Sequence, residues 1–188
     1  MRLHELLNDR PAKFMEGEDR FYGDPDAELD DDEIIDLHLL RHDKSHTMVR
    51  GKPLLALEKI LKQGSSEITK PLYRGIAQEE LRDFKVGETF TTHTYSSFSE
   101  DKSVAERFSK QYKTNKIFEL KEGSGFCYWR WLVKELQHQK ATDPQAFKDN
   151  DGDWDIQSSI REAEWIMPRK QKFKVVGIDN GLIEIEQV

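Results

Sequence analysis

The stretch Ser159-Ile160-Arg161-Glu162-Ala163-Glu164-Trp165-Ile166-Met167-Pro168 decides how this chain is read. β-Branched and aromatic residues surround an alternating centre, which predicts a strand. On a strand, Glu162, Glu164 and Ile166 share one face, and Ala163, Trp165 and Met167 share the other. Two carboxylates side by side repel unless a cation, a sugar hydroxyl or a shared proton sits against them. Taken alone, the pair fits a solvated edge strand that does no chemistry. Its meaning depends on what accompanies it.

The chain has 188 residues, the length of one domain. Residues 1–70 read as a mainly helical part and 71–188 as a sheet core. The net charge of -7 argues against a general nucleic-acid or membrane-surface binder. A single cysteine, Cys127, rules out an internal disulfide and fits a reducing compartment. The N-terminus, Met1-Arg2-Leu3-His4-Glu5, is too charged for a signal peptide, and no apolar run is long enough to span a bilayer. The expectation is a soluble cytoplasmic protein.

Helices are expected over 3–15, with Asp30-Asp31-Asp32-Glu33 as the first turn of a second that carries Ile34, Leu37 and Leu40, and from about Pro53 to Lys62. The last buries Leu54, Leu57, Ile60 and Leu61 and stops at Gly64. His38, His42 and His46 are four apart but lack the carboxylate partner of a metal site, so they read as surface or satisfied histidines. Leu72-Tyr73-Arg74-Gly75-Ile76 reads as a short strand. Its Arg74 points where Leu72 and Ile76 point, and a long cation there needs an anion. Pairing with an acid or reaching to solvent would also satisfy it. Glu79 to Phe84 reads as one or two helical turns. Thr89 to Tyr95 reads as a strand running into Ser96-Ser97-Phe98-Ser99.

Ser99 is the expected cap of a helix that buries Val104 and Phe108, with Tyr112 as a further candidate. Lys116 to Lys121 alternates as a strand. Phe126 to Trp131 starts as strand and becomes a helix through Gln137. Thr142 to Ile156 reads as a long polar loop with Trp154 as its exposed anchor. Its Asp149–Asp155 run fails as a calcium loop, because the glycine falls at the wrong step and no closing Glu fits. Lys172–Ile178 and Leu182–Glu186 form a hairpin around Asn180-Gly181.

Three signals stand in one order: Leu72-Tyr73-Arg74-Gly75, then Tyr95-Ser96-Ser97-Phe98-Ser99, then Arg161-Glu162-Ala163-Glu164-Trp165-Ile166-Met167-Pro168. Together they resemble the Arg-Ser-Glu class of mono-ADP-ribosyltransferases over about residues 53–186. The Glu-Trp-Ile-Met-Pro ending looks most like the arginine-specific members encoded by bacteriophages, small enzymes that modify host proteins during infection. The resemblance implies an α+β fold: N-terminal helices, then a mainly antiparallel two-sheet core with an NAD cleft. It implies NAD as substrate, no metal, and transfer of ADP-ribose to arginine on host transcription or translation proteins, such as RNA polymerase or ribosome-associated proteins. Neither nucleic acid nor membrane is expected as a partner. An intracellular bacterial toxin or effector, an NAD glycohydrolase and a non-enzymatic binding protein are the alternatives.

By resemblance, Arg74 clamps the pyrophosphate, Gly75 lets the backbone approach the nicotinamide amide, and Tyr73 lines the dinucleotide site. Ser97 orients the catalytic glutamate, and Ser99 supports that strand or caps the next helix. Phe108 falls where the family often packs an aromatic on nicotinamide, although it reads equally as core. Glu164 matches the carboxylate that stabilises charge on the ribose through its 2′-hydroxyl. Glu162 matches the glutamate that holds the target guanidinium. Trp154 lies in the stretch matching the substrate-recognition loop. This chain has Ser-Phe-Ser where Ser-Thr-Ser is usual, and Lys110 and Lys113 are the candidates for a second phosphate-assisting cation.

Overall fold

The computed structural model describes residue 61 and residues 64–188, apart from 94 and 150. The helices expected before residue 60, and the three spaced histidines, lie outside the described residues. Leu61 is helical and buried.

The described strands are β1 (Ser66–Glu67), β2 (Leu72–Gly75), β3 (Thr89–Thr91), β4 (Ser96–Ser99), β5 (Ile117–Leu120), β6 (Ser124–Gly125), β7 (Glu164–Met167), β8 (Lys172–Asp179) and β9 (Leu182–Gln187). Seven of them form one sheet in the order β3-β8-β9-β5-β2-β4-β7, and β1 and β6 pair as a second, two-stranded sheet. β5 runs parallel to β9, and the other pairings are antiparallel. The expected α+β architecture with a mainly antiparallel core is therefore present.

The hairpin turns as its Asn-Gly signal requires. Asn180 and Gly181 have φ of 45° and 89°, the left-handed pair of a tight two-residue turn. The stretch expected as one strand over Thr89–Tyr95 is instead divided. β3 pairs with β8 at one end of the sheet, whereas β4 lies between β2 and β7. Phe90 on β3 nonetheless stacks on Phe118 of β5, ring centroids 5.3 Å apart, so the sheet curls over its own inner face. Leu72, Phe98, Phe118, Leu120, Trp165, Met167, Phe173, Val175, Ile183 and Ile185 form the core inside that curl.

Among the described residues, four helices follow the first strands: α1 (Lys102–Gln111), α2 (Tyr128–Thr142), α3 (Pro144–Asp149) and α4 (Gly152–Glu162). α1 packs on β2 and β4, and α2, α3 and α4 cluster beside β7. Asp101, not Ser99, caps α1, with its carboxylate accepting from Ser103 N at 2.8 Å. α1 buries Val104, Ala105 and Ser109; Phe108 is half-buried and Tyr112 exposed.

Two expectations near the acidic motif are corrected. Thr142–Ile156 is not a loop: α2 continues to Thr142, and α3 and the start of α4 occupy the stretch. The strand expected from Ser159 begins only at Glu164, because α4 runs through Glu162. The apolar signal was weak there for a physical reason. The buried residues of α4 are Gly152, Ser158 and Ser159, small groups that let neighbouring helices approach closely. A side chain at Gly152 would strike the Phe147 ring. Ser159 Oγ donates back to Asp155 O at 2.7 Å, so its hydroxyl is satisfied within the helix.

Candidate active site

The acidic motif is a helix end joined to a strand start. Ala163, between the two glutamates, takes the left-handed conformation at φ 44° and ψ 48°. Such a conformation is uncommon for a residue with a side chain. Ala163 N donates to Ser159 O at 2.9 Å, which closes α4, and Glu100 N donates to Ala163 O at 3.2 Å. The turn aims Glu162 and Glu164 at one cavity although they no longer share a strand face. Strand alternation is therefore the wrong reason for their proximity, and the turn at Ala163 is the right one.

That cavity, of about 170 Å³, is lined by Tyr73, Arg74, Gly75, Ser97, Ser99, Phe108, Glu162 and Glu164, with Tyr95, Val104, Ala105 and Tyr112. Eight of the eleven residues singled out from the sequence thus meet around one space, and Lys110 and Lys113 do not line it. Trp154 does not line it; it stands 61% exposed in the first turn of α4.

The sheet register fixes which groups share a face. Tyr73 lies opposite Ser99, and Ser99 opposite Glu164; Ser97 lies opposite Ile166. These residues face α1, which walls the cavity with Phe108. Ser99, rather than Ser97, is tied to the acidic motif: its hydroxyl donates to Glu162 O at 2.7 Å and accepts from Asp101 N at 3.0 Å. Glu164 is 7% exposed and Glu162 half-buried, so the two carboxylates differ in solvation.

Arg74 alternates to the other face, opposite Phe118. It lines the first cavity and also a second one, of about 320 Å³, walled by Phe84, Phe90, Phe98, Phe118 and Phe173. Its Nη1 donates to Ser97 O at 3.3 Å and its Nη2 to both carboxylate oxygens of Glu80, at 2.8 and 2.9 Å. Glu80 closes a 3-10 turn over Gln78–Glu80 and accepts from Ala77 N at 3.2 Å. Reading the sequence missed Glu80, because nothing in the spacing marks it as the partner of Arg74.

Gly75 is glycine for a packing reason. A Cβ there would stand 2.6 Å from Ala105 O and 2.7 Å from Ser109 N, both backbone atoms of α1. Beside it, burial raises the Tyr73 hydroxyl pKa, reinforced by the hydrogen bond to Glu119, so Tyr73 stays a neutral donor. Lys102 Nζ lies 5.9 Å from the Tyr73 ring centroid.

A family model, the bacteriophage T4 Mod ADP-ribosyltransferase, matches residues 46–183. The chain belongs to that family. NAD--protein ADP-ribosyltransferase modB of Enterobacteria phage T4 is 30% identical over 132 residues, covering 65% of this chain and 63% of that protein. The chain therefore spans less than two thirds of the length of this curated relative. The ADP-ribosyltransferase Vis, solved in complex with agmatine, superposes with a TM-score of 0.58 at 14% identity over 100% of this chain and 86% of that one. Exoenzyme S from Pseudomonas aeruginosa, solved with human 14-3-3 protein beta and Carba-NAD, gives 0.53 at 13% identity, with 98% and 86% covered. At these identities the structures establish the ADP-ribosyltransferase fold alone.

In this Mod-family chain one further group braces the site from behind. Glu100 accepts from the indoles of Trp165 at 2.9 Å and Trp129 at 3.1 Å. Burial works against its charge, but those two N–H groups, with Arg130 and Lys70 nearby, outweigh it and hold its carboxyl below the ordinary range. Trp165 follows Glu164 in β7, so Glu100 ties the far face of that strand to α2.

Proposed function

We propose that this protein is an NAD-dependent mono-ADP-ribosyltransferase that moves ADP-ribose from NAD to arginine side chains of host proteins and releases nicotinamide. The observation that carries the reading is the shared cavity of Glu164, Glu162, Ser97 and Phe108, with Arg74 on its wall. The donor set suits NAD: an aromatic wall for the nicotinamide ring, hydroxyls and a carboxylate for the ribose, and a guanidinium for the pyrophosphate.

Breaking the nicotinamide–ribose bond builds positive charge on the sugar, and a well-placed carboxylate stabilises it as it develops. Glu164 takes that role from its nearly buried position. Glu162, at the more open end of α4, holds the incoming guanidinium and helps remove its proton. Ser99 holds the acidic motif through its hydrogen bond to Glu162 O, Ser97 lines the cavity beside the glutamates, and Gly75 and Tyr73 complete the nicotinamide end. Trp154 stands outside the cavity on the same helix as Glu162, where a protein target can touch it. Arginine as acceptor draws support from the pair of glutamates and from the complex of Vis with agmatine, itself a guanidinium compound. Host transcription or translation proteins, met in the host cytoplasm, are the proposed targets.

Incubation with labelled NAD and bacterial lysate, followed by mass spectrometry, tests the proposal. The expected result is ADP-ribose on arginine. Nicotinamide release without protein label would replace the transferase with a glycohydrolase, and label on another residue type would overturn arginine as acceptor.

A further inference from the structure

The Arg74 guanidinium offers two two-pronged edges to an anion: Nη1 with Nη2, and Nε with Nη2. Both edges use Nη2. That nitrogen is held by both carboxylate oxygens of Glu80, while Nη1 is held by Ser97 O. No complete fork is left for a phosphate. The pair is well sheltered, with the Arg74 and Glu80 side chains 18% and 29% exposed. Glu80 is itself held, since its Oε2 accepts from Ala77 N–H and its turn starts from buried Ala77. Glu79 beside it adds a second negative charge at the wall of both cavities.

We infer that Glu80 is an internal latch on Arg74: its carboxylate occupies the fork that a dinucleotide pyrophosphate needs, and substrate binds by displacing it. This rests on the reading of Arg74 as the phosphate clamp. The exchange is one anion for another on the same nitrogen, so the guanidinium keeps a charged partner throughout. The latch lowers affinity for every phosphate-bearing ligand alike, and it leaves the reaction at the glutamates unaltered. Only a ligand that brings additional contacts, such as a nicotinamide ring against Phe108, recovers the cost of opening it. Glu80 therefore sets a common threshold that the whole dinucleotide passes through its extra contacts and that simpler phosphates, with none, do not.

Glu80→Gln tests this, because glutamine still accepts from Ala77 N–H but no longer presents a charged pair of oxygens to Arg74. Inorganic pyrophosphate is titrated calorimetrically, and KM and kcat are measured for nicotinamide release from NAD. The wild-type, Glu80→Gln, Arg74→Lys and double variants are compared. The latch predicts that Glu80→Gln tightens pyrophosphate and lowers KM by about three- to tenfold, the range for a partly exposed charge-assisted pair, with kcat moving less than KM. In the Arg74→Lys background the gain disappears. Glu80→Asp, whose shorter arm cannot span the same distance, tightens pyrophosphate in the same direction and stands in if the Gln variant fails to fold. If Arg74→Lys weakens pyrophosphate but Glu80→Gln leaves it unchanged or weakens it, Arg74 is the clamp and the latch is wrong. If Arg74→Lys changes neither pyrophosphate nor NAD, the clamp reading fails and the latch falls with it.

Discussion

Gly75→Ala connects packing to the site through one methyl group. Gly75 lies in β2, and its missing side chain admits the backbone of α1. The added Cβ would meet Ala105 O at 2.6 Å, Ser109 N at 2.7 Å and Phe108 Cβ at 3.0 Å. Carbon contacts of this kind settle near 3.5 Å, so α1 must retreat by roughly 0.9 Å. Overpacking of that size costs about 1–3 kcal/mol. Alanine returns up to about 1 kcal/mol by restricting the unfolded chain. The expected net loss therefore lies within about 0–3 kcal/mol and centres on about 1.5 kcal/mol. The same retreat carries Phe108 away from Glu164, and a misplacement near 1 Å lowers turnover by as much as about a hundredfold. Urea unfolding gives the stability, and nicotinamide release gives the turnover. A Gly75→Ala protein as stable as the wild type would refute the packing argument. A destabilised protein with full turnover would refute the link from α1 to the cavity.

Three further outcomes are expected. Glu100 has a depressed carboxyl pKa, so its contribution to stability is complete above the unfolded value near 4.3 and disappears as pH falls through the lower folded value. Glu100→Gln should cost about 1–2 kcal/mol at neutral pH and flatten the acid limb of a stability–pH curve, which chemical unfolding at a series of pH values would detect. Burial pushes the Cys127 thiol up to about 12, so iodoacetamide at pH 8 should label native protein far more slowly than protein in urea, as intact-mass measurement would record. Trp154→Ala should lower label transfer to lysate proteins several-fold more than it lowers NAD cleavage. An equal fall in both would move Trp154 from target contact to the NAD pocket.

Most of the sheet was legible in the sequence because its strands carry strong local signals. Asn180-Gly181 announces the last hairpin, and the alternation of Lys116–Lys121 announces β5, whereas the cap of α1 falls on Asp101 and not on the expected Ser99. The cavity residues were legible because chemistry-bearing side chains stood in a known order. α4 was not legible, because its buried positions are Gly152, Ser158 and Ser159 and leave little hydrophobic periodicity. Its end was equally hidden: Ala163 adopts a left-handed turn usually marked by glycine or asparagine. The Glu80–Arg74 pair is a tertiary contact made by a single 3-10 turn, and no sequence pattern encodes it.

Glu162 and Glu164 are proposed to do different work in one cavity, and paired assays on Glu164→Gln and Glu162→Gln separate the two roles. Each folded variant is assayed side by side for nicotinamide release and for label transfer to arginine. Glu164→Gln should lower both activities by on the order of a hundredfold or more, as expected for losing one preorganised electrostatic group. Glu162→Gln should lose far more transfer than cleavage, because the incoming guanidinium is absent from the water reaction. Near-wild-type NAD cleavage by Glu164→Gln, or normal arginine labelling by Glu162→Gln, would contradict the account.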